Sequence, residues 1–435
     1  MTRHGGVIDE LLAGTWTDPK TGQAHGILIN DIVIADTLAG EAAALVRAQH
    51  GGQKLTVVHD RFTRKALGAR VLTELRADGG TVDELVWENP RCTMDGVKEL
   101  SAATKGADAL IAVGAGTVSD SVKYATYTDG RTYSVFPTSP MNAYTTPTAS
   151  VSEGGFKKSI TCHSAKGVFV DLEVLSKCPK RLISAAFADV ICRTTSQTDW
   201  LLSHLLFDTP YLDVAYTLLA TDEDTMIAEA DAIRRGEPEA LATLTRMASI
   251  MGLSTSFTGT THVGSMAEHM MSHTIDMFAD PHPKSSHGEQ VGVATLVMAR
   301  LQNAVLRSET PPDMSPTDIP AARLEETYGA SMAPTLVEAT QKKALDAART
   351  DALNARLAGE WGTIRAALLP TLRSEEEIDG AMEAAGCQRT FAELGIDTAF
   401  ARQVVRDARF TRDRYSMLDL ADDGGLLAPF LDTVQ

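Results

Sequence analysis

The stretch ADALIAVGAGTVSDSVKYA, residues 107–125, joins an apolar run, two glycines and a helix-forming segment. Its run ALIAV is typical of a strand buried on both faces, and SDSVKYA continues with helical spacing. Gly114 and Gly116 would let backbone amides approach a pyrophosphate at the helix N-terminus, where the helix dipole favours anions. A tight strand–helix turn without a ligand would explain the same glycines, and Ser119 replaces the third glycine of the full dinucleotide-binding fingerprint.

Short strand-like runs alternate with helical segments on both sides of this stretch, from residue 1 to about residue 175. The other strand candidates are LTVVHD (55–60), DELVWE (83–88) and TYSVFPT (132–138), with two or three more around a Gly-Gly turn in 148–173. This alternation predicts a parallel sheet with helices on both faces. We therefore expect a Rossmann-like α/β dinucleotide-binding domain over residues 1–175.

From about Pro179 the pattern changes to long segments rich in alanine, leucine and methionine with helical periodicity. These segments cover 180–206, 222–257, 264–279, 288–306, 332–369 and 374–409. The proline-dense stretch 308–320 is interpreted as a linker between helices. An apolar stripe expected to face the core consists of Leu345, Leu353, Leu357, Trp361, Ile364 and Leu368. The sequence thus predicts an all-helical second domain over 176–435, with a cleft between the domains as the default ligand site.

The composition of the 435-residue chain, 44% hydrophobic and 22% charged, excludes a largely disordered protein. A net charge of −17 argues against nucleic-acid and membrane partners, which need a basic face, but a few local cations can still hold one small anion. Five cysteines without a CxxC pair indicate reduced thiols, and acidic residues near the start argue against a signal peptide. We therefore expect a cytoplasmic protein.

Histidine is unevenly distributed, because five of the 11 histidines fall within residues 262–287, where uniform scatter would place fewer than one. They are His262, His269, His273, His282 and His287. His269 and His273 are four residues apart and therefore project from one face of a helix, while His287 begins the next helical segment. Two helices that each bring an imidazole provide half of a metal site, which a carboxylate would complete.

Asp189 is the best acid candidate for this site, because its helix neighbours are apolar and a carboxylate among them needs a partner. A solvated helix face rich in histidine would also account for the cluster. Asp60 ends the strand LTVVHD, where a carboxylate either accepts a hydrogen bond from an adenosine ribose or caps the following helix. Together these residues indicate a divalent metal that acts as a Lewis acid on a carbinol or carbonyl oxygen while hydride moves to or from a nicotinamide.

Five segments resemble, in order and spacing, the iron-containing alcohol dehydrogenase superfamily, and within it most of all the sn-glycerol-1-phosphate dehydrogenases. The segments are GAGTVSDSVKYA, PTSPMNAYTTPTAS, FADVICRTTSQTDWLLS, GSMAEHMMSHTID and HGEQVGVATL. The likeness runs over roughly residues 30–305, and EHMMSH and HGEQVGV are its most specific parts. It implies a dehydroquinate synthase-like two-domain architecture, with an N-terminal dinucleotide-binding domain followed by an all-helical metal domain.

The resemblance implies that Asp189, His269 and His287 bind the metal and that His273 and Asn142 lie beside the substrate. It implies that NAD or NADP is held by Gly114, Ala115, Gly116, Thr117, Val118, Thr138, Ser139, Met141 and Thr146. The metal in such enzymes is usually zinc, with iron or nickel in relatives, and an O/N/N ligand set does not choose among them. The implied reaction is the NAD(P)-linked interconversion of dihydroxyacetone phosphate and sn-glycerol 1-phosphate.

Three departures from the family pattern bear on these expectations. Asn142 stands where members usually have aspartate, so the hydrogen-bonding reach is kept, the charge is lost and the substrate could differ. The segment 137–142 is one residue shorter than in typical members, which leaves the assignment of Ser139 open. Arg193 stands where alcohol dehydrogenases of the superfamily have a fourth histidine ligand, which favours a three-ligand site open to substrate.

Alternative functions stay open at this point. The same chemistry could act on an unphosphorylated polyol or on another phosphorylated or phosphonylated ketone. A dehydroquinate synthase-like enzyme would use NAD transiently, and a metal- and nucleotide-binding protein would show no turnover. Lys157 and Lys158 are candidate phosphate contacts, although solvated strand lysines are the simpler interpretation. The expected partner is a small molecule, while a homo-oligomer and the role of residues 306–435 are left open.

Overall fold

The computed structural model describes residues 2–141, 144–154 and 156–435. Its strands are β1 (Asp31–Ala35), β2 (Leu55–His59), β3 (Val82–Val86), β4 (Ala109–Gly114), β5 (Thr132–Pro137), β6 (Thr148–Glu153), β7 (Phe156–Thr161) and β8 (Gly167–Asp171). Six of them form one parallel sheet in the order β1-β8-β5-β4-β2-β3. The other two, β6 and β7, pair with each other in antiparallel fashion.

The helices associated with this sheet alternate with its strands. They are α1 (Val7–Ala13), α2 (Ala42–His50), α3 (Arg61–Thr63), α4 (Ala69–Ala77), α5 (Met94–Ala103), α6 (Gly116–Thr128) and α7 (Leu172–Ser176). A π-helical turn, Arg64–Gly68, joins α3 to α4. Gly68 in this turn faces His59, and a Cβ there would lie 2.1 Å from Nδ1 of that ring, so only glycine fits without displacing the histidine.

Helices make up the regular structure in the rest of the described chain. They are α8 (Lys180–Ile191), α9 (Arg193–Phe207), α10 (Val214–Leu219), α11 (Glu223–Ala228), α12 (Ala230–Arg235), α13 (Pro238–Thr258), α14 (Ala267–Phe278), α15 (His287–Arg307), α16 (Ala321–Tyr328), α17 (Ala333–Gln341), α18 (Ala347–Leu368), α19 (Glu375–Ala384), α20 (Thr398–Asp407), α21 (Met417–Asp423) and α22 (Leu427–Leu431). Short 3₁₀ helices lie at His262–Gly264, Leu369–Thr371 and Ala408–Thr411.

Burial of the sheet on both faces explains its continuous apolar strands. Every residue of β2, β4 and β8 is buried, as expected for parallel strands covered by helices. The strands anticipated near residues 55, 83, 109 and 132 are all present, and the stretch 148–173 supplies β6, β7 and β8. The predicted fold class, a parallel α/β sheet followed by helices, is therefore confirmed. The short apolar run of β1 adds an edge strand that was not among the strand candidates.

The chain packs as two compact units. The first comprises Met1–Ala186 and Asp213–Thr260, and the second comprises Phe187–Leu212 and Thr261–Gln435. Helices α10 to α13 thus lie in the unit that holds the sheet, although the sequence pattern places them in the helical domain. The reason is that the long helix α13 packs on α7 and on β1, contacts that helical periodicity does not reveal.

The core of the second unit contains the predicted apolar stripe. Leu345, Leu353, Leu357, Trp361, Ile364 and Leu368 are all buried there, with α9, α14, α15, α20 and α21 supplying further apolar side chains. Helix α18, which carries most of the stripe, begins at Asp346, whose carboxylate accepts a hydrogen bond from the backbone N–H of Arg349. The preceding stretch 308–320, which the structure describes in full, contains no helix, in agreement with the predicted linker. Among the described helices, none combines the length and apolarity that crossing a membrane requires.

Candidate metal and substrate site

Helices α8, α14 and α15 bring Asp189, His269 and His287 together in the second unit. Nε2 of His269 lies 3.6 Å and Nε2 of His287 lies 3.8 Å from Oδ1 of Asp189. Asp189 and His269 are buried, and their ligand atoms and that of His287 all lie within 4.8 Å of one another. A four-coordinate cation with metal–ligand bonds of about 2.0–2.2 Å requires ligand atoms that lie between about 3 and 4 Å from one another. The residues present therefore fit one divalent metal ion.

Close helix packing places Asp189 beside His287. A Cβ on Gly292 of α15 would lie 2.7 Å from the Cβ of Ala188 on α8, so the missing side chain allows the two helices to approach. His287 is the first residue of α15, because Ser286 and Glu289 form a capping box that starts the helix there. The glycine and the cap together set the position of the His287 imidazole relative to the Asp189 carboxylate.

A buried glutamate sets the protonation of His269. Oε1 of Glu268 lies 3.0 Å from Nδ1 of His269 and also accepts a hydrogen bond from the backbone N–H of Met266. A carboxylate accepts only, so Nδ1 of His269 carries the hydrogen and Nε2 keeps its lone pair. Histidine ligands of metals are commonly oriented by such a carboxylate, which also raises their basicity.

A hydroxyl and an amide play the same part for His287. Oγ of Ser272 lies 2.8 Å from Nδ1 of His287 and donates to Oε1 of Gln290, also at 2.8 Å. Because the serine hydrogen is used on the amide oxygen, Nδ1 of His287 acts as the donor toward the hydroxyl. Nε2 of His287 therefore keeps its lone pair, and both imidazoles present Nε2 to the same side of Asp189.

A second group of ligand atoms, from Cys192, Glu268 and His269, also lies close together. Burial, with the nearby Glu268 and Asp189 carboxylates, raises the pKa of the Cys192 thiol well above its usual range. The thiol donates to the carbonyl oxygen of Gly264 at 3.6 Å, so it is held as a neutral group. A bound cation would itself deprotonate a thiol ligand, so we prefer the set with Asp189 and His287 on geometric grounds, because the Nε2 atoms of two imidazoles face the same carboxylate oxygen there.

A third member of the histidine cluster, His273, lies beside the metal ligands. Its ring centroid is 6.4 Å from that of His269 and 5.9 Å from that of His287. Nη2 of Arg412 donates to Nδ1 of His273 at 3.0 Å. An arginine has no acceptor, so Nδ1 carries the lone pair and neutral His273 has its hydrogen on Nε2.

The remaining two histidines of the cluster have different surroundings. The ring centroid of His262 lies 5.5 Å from that of Trp200, with the rings tilted by 38°, and burial with the charge of Arg414 lowers the pKa of His262 to about 3. His282 is exposed and contacts Asp276 at 3.3 Å. Arg193, one helical turn after Asp189, is buried and donates to the side-chain oxygen of Gln197 at 3.0 Å. A guanidinium at this position cannot ligate a cation, so the three-ligand expectation stands.

The predicted cofactor residues lie at the carboxyl edge of the sheet in the first unit. The strand order reverses between the adjacent parallel strands β2 and β4, because the chain continues from β2 to β3 on one side of this pair and from β4 to β5 on the other. Such a switch point is where open α/β sheets bind their ligands. Asp60 follows β2 directly, the turn of Gly114, Ala115, Gly116, Thr117 and Val118 follows β4, and Thr138 follows β5.

The turn after β4 is tightly packed against the first turn of α6. A Cβ on Gly114 would lie 2.8 Å from the Cβ of Val118, whereas a Cβ on Gly116 would have no described atom within 4 Å. Helix α6 is preceded by Ala115, which has no side-chain acceptor for the first N–H groups of the helix. The amides of this turn are therefore candidates for binding an anion, as the strand–glycine–helix pattern predicts.

The remaining cofactor candidates occupy the neighbouring segments. The N–H of Thr138 donates to the carbonyl of Gly114 at 3.3 Å, so this residue joins the glycine turn directly. Ser139 is buried and its carbonyl accepts from the N–H of Met141, while the Thr146 hydroxyl lies 3.0 Å from that of Thr255. Asn142 lies outside the described residues, and its proposed substrate contact stays a prediction.

Asp60 and Lys158 show the contacts expected from their simpler alternatives, while the ligand contacts proposed for them stay predictions. Oδ1 of Asp60 accepts from the N–H groups of Phe62 and Thr63 at 2.7 and 2.8 Å, so the carboxylate caps the helix after β2. The hydrogen bond to a ribose stays a prediction for its second oxygen. On β7, Lys158 is exposed and pairs with Glu153 at 2.6 Å, as a solvated strand lysine does.

The sequence pattern did not identify the groups that orient the ligands. Glu268 could have been found, because a carboxylate directly precedes a candidate ligand in AEHMMSH. Ser272 and Gln290 give no such signal in the sequence, because serine and glutamine would fit a solvated polar helix face as well as a position beside a metal ligand. Arg412 is 139 residues from His273 in the chain, so only the fold brings them together.

Comparison with known proteins shows which family the chain resembles. Residues 33–179 match the family model of iron-containing alcohol dehydrogenases. A glycerol-1-phosphate dehydrogenase [NAD(P)+] of Methanothermobacter thermautotrophicus is 31% identical over 251 residues, which cover 58% of this chain and 71% of the relative. The protein of the same name from Bacillus licheniformis is 25% identical over 415 residues, 94% of this chain and 92% of the relative.

Solved structures show the same fold. An archaeal halo-thermophilic Red Sea brine pool alcohol dehydrogenase matches with a TM-score of 0.63 at 16% identity, over 93% of this chain and 98% of that one. Glycerol dehydrogenase from Schizosaccharomyces pombe matches with a TM-score of 0.61 at 14% identity, over 93% of this chain and 90% of that one. At these identities the likeness establishes the arrangement of secondary structure.

Proposed function

Because the chain belongs to the iron-containing alcohol dehydrogenase family, we propose that it interconverts sn-glycerol 1-phosphate and dihydroxyacetone phosphate with NAD(P) and a divalent metal ion. It is an oxidoreductase that acts on CH–OH groups. The observation that carries the proposal is the arrangement of Asp189, His269 and His287, whose ligand atoms lie within 4.8 Å of one another. The name shared by the relatives from Methanothermobacter and Bacillus supports the choice of substrate.

Asp189, His269 and His287 would hold the metal. When bound, a divalent cation there supplies Lewis acidity toward the oxygen of a carbinol or carbonyl. The ligand set of one carboxylate and two imidazoles suits zinc, iron or nickel, and we favour zinc. Glu268, Ser272 and Gln290 keep the two imidazoles in the tautomer that leaves Nε2 available.

His273 is the group best suited to handle the proton of the substrate hydroxyl. Its Nδ1 is held by Arg412 at 3.0 Å, so Nε2 carries the hydrogen of the neutral ring. An N–H at this position can donate to the oxygen that gains negative charge when hydride leaves the cofactor for the carbonyl. A bound NAD(P) cofactor would supply or accept the hydride, and the proton that the substrate oxygen gains on reduction or loses on oxidation would be exchanged with solvent beside the His273 ring.

The glycine turn after β4 would hold the cofactor pyrophosphate through its backbone amides. Thr138 is hydrogen-bonded to that turn, and Ser139, Met141 and Thr146 follow it in the chain. Asp60, at the adjacent strand end, disfavours a 2′-phosphate by its charge, so NAD is expected to bind at least as well as NADP.

A direct assay tests the proposal. Metal-loaded protein is mixed with reduced NAD or NADP and dihydroxyacetone phosphate, and oxidation of the cofactor is followed by its absorbance. We expect turnover that stops when the metal is removed with a chelator and returns when zinc is added back. Absence of cofactor oxidation across polyol phosphates and free polyols would contradict the proposal. A dehydroquinate synthase-like reaction would be distinguished by the absence of any net change in NADH.

A second candidate substrate class is favoured by Asn142. The family's usual aspartate at this position carries a charge that asparagine lacks. An unphosphorylated polyol, or another phosphorylated or phosphonylated ketone, is therefore the alternative substrate. If it is correct, Asn142→Asp shifts the preference of the enzyme toward dihydroxyacetone phosphate, and an unchanged preference counts against it.

A further inference from the structure

Two arginines from the C-terminal part of the chain lie next to the histidine cluster. The 3₁₀ helix Ala408–Thr411 packs on α14, and Arg412 and Arg414 follow it. Arg412 donates to Nδ1 of His273 at 3.0 Å. Arg414 donates to the carbonyl oxygen of Ser265 and, at 2.6 Å, to the hydroxyl of Thr261. Both guanidinium groups therefore lie against the residues that lead into α14 or project from it.

Neither arginine has a carboxylate within ion-pairing distance in the described part of the chain. The adjacent Asp413 is exposed, and Glu268 is the buried acid that acts on Arg414 electrostatically. Burial lowers the pKa of Arg412, and burial together with the charge of Arg412 lowers the pKa of Arg414 to about 10. Both arginines are half-buried, and two neighbouring cations that are partly removed from water are costly unless an anion joins them.

The segment that carries the two arginines is held firmly. Arg409 is buried and pairs with Asp419 at 3.1 Å and with Asp423 at 2.7 Å. Lys343 donates to the carbonyl oxygens of Arg409 and Arg414, at 2.7 and 3.0 Å. Because this buried network fixes the backbone on both sides of Arg412, the position of its guanidinium is set before any ligand arrives.

We propose that Arg412, assisted by Arg414, binds the phosphate group of the substrate beside His273. This inference rests on the proposed function and names the residues that recognise the substrate class. The guanidinium has five N–H donors, of which His273 uses one, and its fork matches the oxygens of a phosphate. In dihydroxyacetone phosphate the phosphate is attached one carbon away from the carbonyl. The contact between Arg412 and His273 is therefore close enough for one small molecule to face both groups.

The charge of Arg412 is what distinguishes phosphate binding from simple support of the histidine. A neutral donor would orient Nδ1 of His273 without the desolvation cost of a guanidinium. The chain as a whole carries a net charge of −17, which repels an anion. A phosphate group therefore needs a local pair of cations in order to approach. Residues 408–414, for which the sequence indicated no role, would thus take part in substrate selection.

The test compares dihydroxyacetone phosphate with unphosphorylated dihydroxyacetone as substrates of the metal-loaded enzyme. We expect Arg412→Gln to lower the ratio of their kcat/KM values about thirtyfold, equal to about 2 kcal/mol, chiefly through the KM of the phosphorylated substrate. Arg412→Lys keeps the charge and should lose less of the ratio. Arg402→Gln is the control, because Arg402 lies in the same part of the chain and bonds to backbone carbonyls near the C-terminus.

Each outcome distinguishes this inference from the proposed function. If the wild-type enzyme does not reduce dihydroxyacetone phosphate, the proposed function itself is wrong. If the wild-type enzyme is active and Arg412→Gln lowers kcat equally on both substrates, the arginine only positions His273 and the inference is overturned. If Arg412→Gln fails to fold, Arg412→Met, which keeps the bulk of the side chain without its charge, takes its place: a ratio equal to that of the wild type contradicts phosphate binding, and a lowered ratio supports it.

Discussion

Oε1 of Glu268 lies 3.0 Å from Nδ1 of His269, and this buried contact determines which nitrogen of the imidazole is free to bind a cation. The carboxylate also accepts from the N–H of Met266, so it links the start of α14 to the first histidine on that helix. A residue that never touches the metal can thus control how strongly the metal is held.

We expect Glu268→Gln to weaken metal binding by roughly tenfold, because it keeps a hydrogen-bond acceptor near Nδ1 but removes the buried charge. Metal titration followed by elemental analysis after dialysis measures this change. Glu338→Gln serves as the control, since Glu338 is exposed on α17 and pairs with Lys342. Equal metal affinity in Glu268→Gln and the wild type would show that the contact does not tune the ligand.

Substitution of single histidines separates metal binding from turnover. His269→Ala should abolish metal retention, whereas His273→Ala should leave the metal bound and reduce kcat, by roughly 100-fold if the ring assists proton transfer. His282→Ala is the matched control, because this histidine belongs to the same cluster but is exposed and contacts Asp276. Full metal content in purified His269→Ala would exclude this residue as a ligand.

The glycine turn after β4 offers a matched pair of substitutions. Gly114→Ala places a Cβ 2.8 Å from Val118 and should lower the free energy of unfolding by about 1–3 kcal/mol. Gly116→Ala meets no described atom within 4 Å and should leave stability nearly unchanged, yet weaken NAD(P)H binding if the amides contact a pyrophosphate. Denaturant titration and fluorescence of the bound cofactor measure the two effects. Unaltered cofactor affinity in Gly116→Ala would argue against this binding site.

The stripe on α18 contributes to stability through burial. Leu357 is 1% exposed in the core of the second unit, so Leu357→Ala should cost about 2–5 kcal/mol of unfolding free energy. Leu369→Ala, at a position 39% exposed, should change it by less than about 1 kcal/mol. Urea titration of the two variants checks the difference, and similar losses in both would mean that the stripe does not pack as described.

Asp199 makes stability depend on pH. Burial, with the charge of Glu268, raises the pKa of Asp199 to about 7, from an ordinary value of 3.8. Between these values the folded protein keeps a proton that the unfolded chain releases, so this group makes the fold less stable as pH rises from about 4 to about 7. Asp199→Asn should therefore reduce the fall in Tm across this range, while Asp313→Asn, at an exposed position, should not. Identical Tm profiles of Asp199→Asn and the wild type would disprove this role.

Local signals in the chain were enough to predict most strands and helices, although not β1, and to single out the candidate ligands. Strand β4, its glycine turn and α6 follow from hydrophobic periodicity and turn chemistry, which depend on neighbouring residues alone. His269 and His287 stood out because five histidines recur within residues 262–287, and Asp189 stood out because it is an acid among apolar helix neighbours. The same local signals left open whether Asp60 caps a helix or binds a ribose.

The groups that surround those candidates are set by long-range packing. Hydrogen-bond partners and burial depend on how distant segments meet, so the orientation of His287 by Ser272 and Gln290 is invisible in the linear chain. The pairing of Arg412 with His273 joins positions 139 residues apart. Helix α13 likewise belongs to the unit with the sheet because of what it packs against, since its periodicity fits any helical core. Local spacing specified the reactive residues, and packing specified their protonation, charge and neighbours.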